Sequence, residues 1–164
     1  MIFYNPKTII YSPDYKHRYM IRYSAVNTTD ETPFVLFIGL NPATRDTGGF
    51  VTRCKRVGHK LQYGVVKIMN LFSFRADTPL KLVCAEERNT HINDIMLSLE
   101  CKRADKIIAC WGNQGKLYHR ETLFKEAVDR DIYCFGTTNG GSPRYLLYWN
   151  TEELVLWSQK RKDF

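Results

Sequence analysis

Four runs of the chain are almost continuously apolar: Phe34-Val35-Leu36-Phe37-Ile38, Val65-Val66-Lys67-Ile68-Met69, Lys106-Ile107-Ile108-Ala109-Cys110 and Ile132-Tyr133-Cys134-Phe135. Short runs of this kind, without alternation, mark strands covered on both faces. Between them the apolar positions fall at helical spacing. Val51 to Leu61 is basic and amphipathic. Glu86 to Cys101 carries Ile92, Ile95, Met96 and Leu99, and Lys116 to Asp129 carries Leu117, Leu123, Phe124 and Val128. Alternating strand and helix predicts one α/β domain over residues 1–164, three-layer α/β/α, around a central, mainly parallel sheet of four to five strands. Upstream, Ile9-Ile10-Tyr11 and Tyr19 to Tyr23 read as one or two short strands or an edge hairpin, and Asn27 to Pro33 as a loop. Leu154 to Trp157 reads as an edge strand or a helix turn, and Lys160-Arg161-Lys162 as a solvated basic tail.

Composition narrows the function. A chain of 164 residues with 44% hydrophobic and 25% charged residues is globular and large enough for a core of its own. Its longest apolar stretch, Phe34 to Leu40, is far short of the roughly 18 residues that span a bilayer. Met1 to Pro6 lacks the basic and apolar regions of a secretory signal. The five cysteines (54, 84, 101, 110 and 134) include no Cys-x-x-Cys pair, and no histidine stands at a metal-ligand interval from them. The expectation is a cytoplasmic protein without a metal or other cofactor and without a membrane partner. The net charge of +7 favours an anionic partner, with nucleic acid first.

Candidate chemistry gathers where the predicted strands end. Each runs into a polar, glycine-containing cluster: Gly39-Leu40-Asn41-Pro42, Asn70 to Arg75, Trp111-Gly112-Asn113-Gln114-Gly115, and Thr137 to Arg144. In an open α/β sheet ligands bind outside the carboxyl ends of the strands. No P-loop, dinucleotide fingerprint or Gly-x-Ser-x-Gly elbow occurs. The clusters offer amides, hydroxyls, rings and arginines. Amides suit the edge of a nucleobase, rings its face, and arginines or glycine-loop amides a phosphate.

Over nearly its whole length the sequence resembles a bacterial and phage family, domain of unknown function 1643. The matching residues are Leu40 to Thr44, Thr52-Arg53-Cys54, Val65 through Pro79, Ala109 to Gly112, and Ser142 to Tyr148. It departs from that family at Tyr145, where a His is usual, and at Gly48-Gly49, where an acidic pair is usual. More distantly, the same landmarks are similar to the uracil-DNA glycosylase superfamily. That resemblance implies the superfamily's fold and hydrolysis of an N-glycosidic bond. In it Asn41, supported by Gly39 and Pro42, orients the attacking water, and Ser142, set with Asn41 as catalytic, belongs to the second motif, which clamps DNA phosphate and often supplies a polar group to the leaving base. Asn70, with Arg75 five residues on, reads the base edge. Phe50, Phe72 or Phe74 stacks on the base, and Asn139 and Tyr145 complete the pocket. Arg144 and the Gly140-Gly141 amides grip phosphate, while Arg53, Lys55 and Arg56 extend a basic track.

Three readings follow: a glycosylase-like enzyme acting on a modified or mismatched base of DNA, a weak or inactive module that binds nucleic acid or nucleotide, and an enzyme acting on free modified nucleotides. Salt-sensitive DNA binding separates the first two from the third, and Asn41→Ala separates cutting from binding.

Overall fold

The computed structural model describes residues 4–146 and the backbone of residues 157–158. The chain opens with the antiparallel hairpin β1 (Tyr4–Tyr11) and β2 (Arg18–Ala25). Strand β3 (Phe34–Gly39) is buried at every position, as is β4 (Val65–Asn70). Helix α1 (Gly49–Lys60) joins them. After β4 come α2 (Pro79–Cys84), α3 (His91–Arg103) and β5 (Lys106–Ala109). A 3-10 segment (Asn113–His119) leads into α4 (Arg120–Ala127), β6 (Ile132–Cys134) and the two-residue β7 (Trp157–Ser158).

The sheet has the order β1-β2-β4-β3-β5-β6-β7. Strands β4, β3, β5 and β6 are parallel, whereas β2 pairs antiparallel with β4, and β7 with β6. The α/β expectation holds, with a correction to the strand number. The expected edge hairpin forms, with β1 as the outer strand, and it belongs to the sheet. It pairs β2 with β4 through Ile21–Ile68 and Tyr23–Val66, so the sheet has six strands plus the short β7, not four to five.

Alternate side chains of the parallel strands feed two cores. Leu36, Ile38, Met69 and Ile107 pack with Leu82 of α2, Leu97 and Cys101 of α3, and Phe124 of α4. Val35, Phe37, Ile68 and Ile108 pack with Val51, Cys54 and Val57 of α1. Helices therefore cover both faces of the sheet. No helix among the described residues is long and apolar enough to cross a membrane.

Two helical expectations need correcting. The helix expected from Glu86 begins at His91, because the Thr90 side chain caps it by accepting from the Asn93 N–H. The helix expected over 116–129 is broken: Tyr118 and His119 take positive φ, so α4 starts only at Arg120. Helix α2 was not foreseen, although Thr78-Pro79 is a good start, with Thr78 as N-cap and proline at the first helical position. Of the C-terminal expectations, Trp157 stands in an edge strand, while 154–156 and 160–162 lie outside the described residues.

Candidate functional site

A cavity of about 270 Å³ opens at the carboxyl ends of β3, β4 and β5. Asn41, Phe50, Asn70 and Tyr145, four of the residues singled out in the sequence, line it together. Leu40, Pro79, Trp111, Gly112, Asn113 and Gln114 complete its wall. Its side chains are amides, rings and aliphatics, and none is charged.

Asn70 is the central polar group. It ends β4, is only 3% exposed, and its side-chain amide has no protein partner among the described residues. Its hydrogen-bonding capacity is left open toward the cavity, where a ligand or water can use it. Gly39 makes room for it. A Cβ at Gly39 would stand 2.7 Å from Asn70 Nδ2 and 3.0 Å from Phe50 Cζ, so only glycine lets the amide and the ring close over the end of β3. Phe50, in the first turn of α1, stacks on Tyr145 with ring centroids 5.3 Å apart and planes 7° apart. That spacing is direct ring contact and leaves no room for a third ring between them.

Asn41 is oriented by the backbone. Its Nδ2 donates to the Ala76 carbonyl (2.8 Å) and the Pro42 carbonyl (3.0 Å), and among the described residues no donor meets its Oδ1. The two loops that meet there are laced together. The Ala76 N–H donates to the Pro42 carbonyl, and Thr44 donates to Asp77 through both its N–H and its hydroxyl. Arg75 donates to the carbonyls of Thr44 and Tyr15 and faces Asp46 at 3.8 Å. Asp46 also accepts from Tyr11 and from Arg18 (3.0 Å). Burial would raise the Asp46 carboxyl, but these hydrogen bonds and the charges of Arg18 and Arg75 hold it below its usual range.

Other residues expected at the site lie elsewhere. Phe72 belongs to the core, edge-on to Tyr118 with Arg120 over its ring. Arg75 braces loops and does not line the cavity. Ser142 is fully buried and donates its hydroxyl to Glu121 (3.0 Å). A group so enclosed does not touch a leaving base, so the catalytic role expected for Ser142 is corrected to a supporting one. Asn139, Gly140 and Arg144 sit on an exposed turn, where Arg144 donates to the Thr137 carbonyl and Gly141 takes φ 81°. Arg53, Lys55 and Arg56 follow Phe50 along α1. Arg56 is exposed, and Lys55 lies 4.7 Å over the Tyr23 ring.

Sequence reasoning missed Glu121, Asp46 and Arg18 altogether. It placed Trp111 to Gln114 in a polar cluster, with Trp111-Gly112 as a landmark of the resemblance, but named none of them as a site residue. A Ser-His-Glu alignment also occurs outside the cavity: His17 Nδ1 is 2.9 Å from Ser73 Oγ, and Nε2 is 3.6 Å from Glu87. Ser73 has no exposed surface, so it is not placed to act as a nucleophile. Among the described residues no three His, Cys, Asp or Glu side chains come together as a metal site.

A family model described as "Protein of unknown function (DUF1643)" matches residues 18–145. No curated protein and no solved structure matches the chain.

Proposed function

The chain belongs to the family of proteins of unknown function DUF1643, and from its cavity we propose that it recognises a nucleobase of DNA and hydrolyses the N-glycosidic bond. The observation that carries this reading is the Asn70 amide, buried and unpartnered in an uncharged cavity walled by rings. A nucleobase has an edge of donors and acceptors for such an amide and a face for Tyr145, Phe50 or Trp111. The landmarks Gly39-Leu40-Asn41-Pro42, Asn70 and Trp111-Gly112 resemble those of the uracil-DNA glycosylase superfamily, which supports the same reading. The basic residues of α1 begin three positions after Phe50, where a phosphate chain leaving the cavity would meet them.

In this mechanism the target nucleotide leaves the stack and its base enters the cavity. Asn70 holds the base edge. Asn41 Oδ1 accepts a hydrogen bond from a water and directs that water at the sugar carbon. The carbon–nitrogen bond breaks as negative charge builds on the departing base and the sugar becomes oxocarbenium-like; water's oxygen bonds to the sugar carbon, and the proton it sheds passes through solvent to the base nitrogen. The rigid bracing of Asn41 by two carbonyls fits a positioning task of this kind.

A second reading has its own support. Among the described residues no carboxylate or imidazole lines the cavity, so base recognition without cleavage suits the same walls. Single- and double-stranded oligonucleotides carrying uracil, 5-hydroxymethyl pyrimidines, glucosylated bases or mismatches distinguish the two. Release of free base, detected by mass spectrometry and lost in Asn41→Ala with affinity retained, is expected for the enzyme. Binding without release from any substrate would move the function to recognition, and absence of both would overturn the nucleobase reading for DNA.

A further inference from the structure

We infer that Glu121 is a positioning residue that sets two aromatic walls of the cavity, Trp111 and Tyr145, from behind. The inference rests on the nucleobase reading for its functional consequence but not for its geometry.

Glu121 is the second residue of α4 and is 6% exposed. No Lys, Arg or His stands within ion-pair distance of it among the described residues. Two neutral donors satisfy its carboxylate instead. Trp111 Nε1–H donates at 2.8 Å, and Ser142 Oγ–H donates at 3.0 Å to the same oxygen and 3.3 Å to the other. Donors that meet an ionised acceptor are held more firmly than neutral pairs, and the first turn of a helix favours a negative charge.

The first donor fixes the Trp111 ring. Phe124 packs edge-on to it at 5.5 Å, and Gly115 leaves the space the ring fills, where any Cβ would overlap the indole. With Nε1 anchored on Glu121, the indole has one orientation at the cavity wall.

The second donor fixes a turn. Residues 136–144 fold back on themselves: the Thr138 N–H donates to the Ser142 carbonyl (2.8 Å) and the Arg144 N–H to the Gly136 carbonyl (3.0 Å). Ser142 ties this turn to α4, and the Gly112 N–H ties it to the strand end through the Pro143 carbonyl (2.9 Å). Tyr145 follows three residues after Ser142, and its ring stacks on Phe50. One buried carboxylate thus governs where the Trp111 and Tyr145 rings stand.

The test uses the full chain labelled with nitrogen-15, with Glu121→Gln and Ser142→Ala as variants. The Trp111 indole N–H resonance, assigned by its loss in Trp111→Phe, is expected to move upfield in Glu121→Gln and to stay in place in Ser142→Ala. The probes are 2′-deoxyuridine monophosphate and a single-stranded oligonucleotide containing deoxyuridine. Each variant is expected to weaken probe binding by about tenfold, and the double variant by less than the product of the two, because both act through one carboxylate. Unchanged affinity in both variants would overturn the inference, even with a shifted indole signal, since Glu121 would then be structural only. A wild type that binds neither probe excludes uracil as the base, and the nucleobase reading is then decided by the wider panel of oligonucleotides. The positioning is then decided by cross-relaxation between the Phe50 and Tyr145 rings: its loss in Glu121→Gln upholds the inference and its persistence overturns it.

Discussion

Strands β3 and β4 carry a cavity at each end. At their carboxyl ends the described walls are uncharged, and the amide of Asn70 faces the space with no partner among the described residues. At their amino ends a second cavity of about 230 Å³, bounded by Phe34 and Val65, is lined by Arg22, Asp30, Lys67, Glu100 and Arg103. There every charge has a partner. Lys67 meets Glu100 at 2.6 Å and lies over the Phe34 ring, Arg22 meets Asp30 at 3.6 Å, and Arg103 meets Glu100 at 3.8 Å. The two spaces are similar in volume and differ in what their polar groups still lack. The charged end satisfies itself. The neutral end leaves hydrogen-bonding capacity for something from outside, and that makes it the better candidate for a ligand.

Breaking the self-satisfied end gives the largest effect. Lys67→Met leaves Glu100 buried, with only Arg103 nearby, and is expected to lower stability by about 3–5 kcal/mol in urea unfolding while leaving nucleobase binding intact. Replacing both partners, Lys67→Met with Glu100→Leu, should restore most of the loss, because the desolvated charge goes with them. Loss of binding in either variant at native temperature would mean that the two ends are coupled.

The neutral end should respond the other way. Asn70→Ala is expected to weaken binding of a base by roughly 1–3 kcal/mol, about fivefold to 150-fold, with little loss of stability because its amide has no bond to lose among the described residues. Gly39→Ala should mimic it in binding assays by pushing Asn70 and Phe50 aside. A destabilised Asn70→Ala that binds as wild type would make Asn70 structural and the comparison empty.

The same contrast explains what could be read from the sequence. Strands buried on both faces are continuous apolar runs, so β3, β4, β5 and β6 were legible, as was α1. The inward face of α3 was not. Its spacing pointed to Ile92, Ile95, Met96 and Leu99; Met96 packs against the core, yet the other three are 52%, 47% and 54% exposed, while Asn93, Leu97, Glu100 and Cys101 are buried. Polar needs of the sheet chose that face. Asn93 donates to the Asn70 carbonyl (3.1 Å), and Glu100 answers Lys67. Hydrophobic periodicity has no means of seeing such pairs. At the site, Asn41 and Asn70 were legible because strand ends in an α/β sheet converge. Ser142, Arg75 and Phe72 are the same kinds of residue in the same clusters, but neighbours distant in sequence turn them into braces. Glu121 gave no signal, since an acid in the first turn of a helix is ordinary.

A smaller effect is expected from pH. Burial holds the His17 imidazole below its usual 6.5, against the pull of Glu87 and Asp14, while Lys16 adds to the lowering. A depressed base favours folding when neutral, so its contribution is complete above about pH 6.5 and is lost as pH falls through its lower value in the folded protein. The urea midpoint should therefore decline below pH 6.5, and His17→Asn should flatten that decline. A wild-type midpoint that is level from pH 7 to 5 would remove His17 from the account.

The smallest effect concerns what surrounds the neutral cavity. If its ligand is a base still attached to a phosphate chain, the charge that the walls lack must be met outside them, and α1 is the nearest basic element that starts at the cavity, through Phe50. Arg56 is exposed on that helix. Arg56→Ala should then weaken oligonucleotide binding only a few-fold at moderate salt, and reduce the slope of log affinity against log salt by about one. Affinity for a free nucleoside should not change, because no charge enters the cavity with it. An Arg56→Ala protein with an unchanged salt slope would place the phosphate path elsewhere on the rim. The exposed turn with Arg144 and Gly140 would then be the next surface to neutralise. A wild type whose affinity does not depend on salt at all would mean that the cavity takes its base free of any phosphate chain.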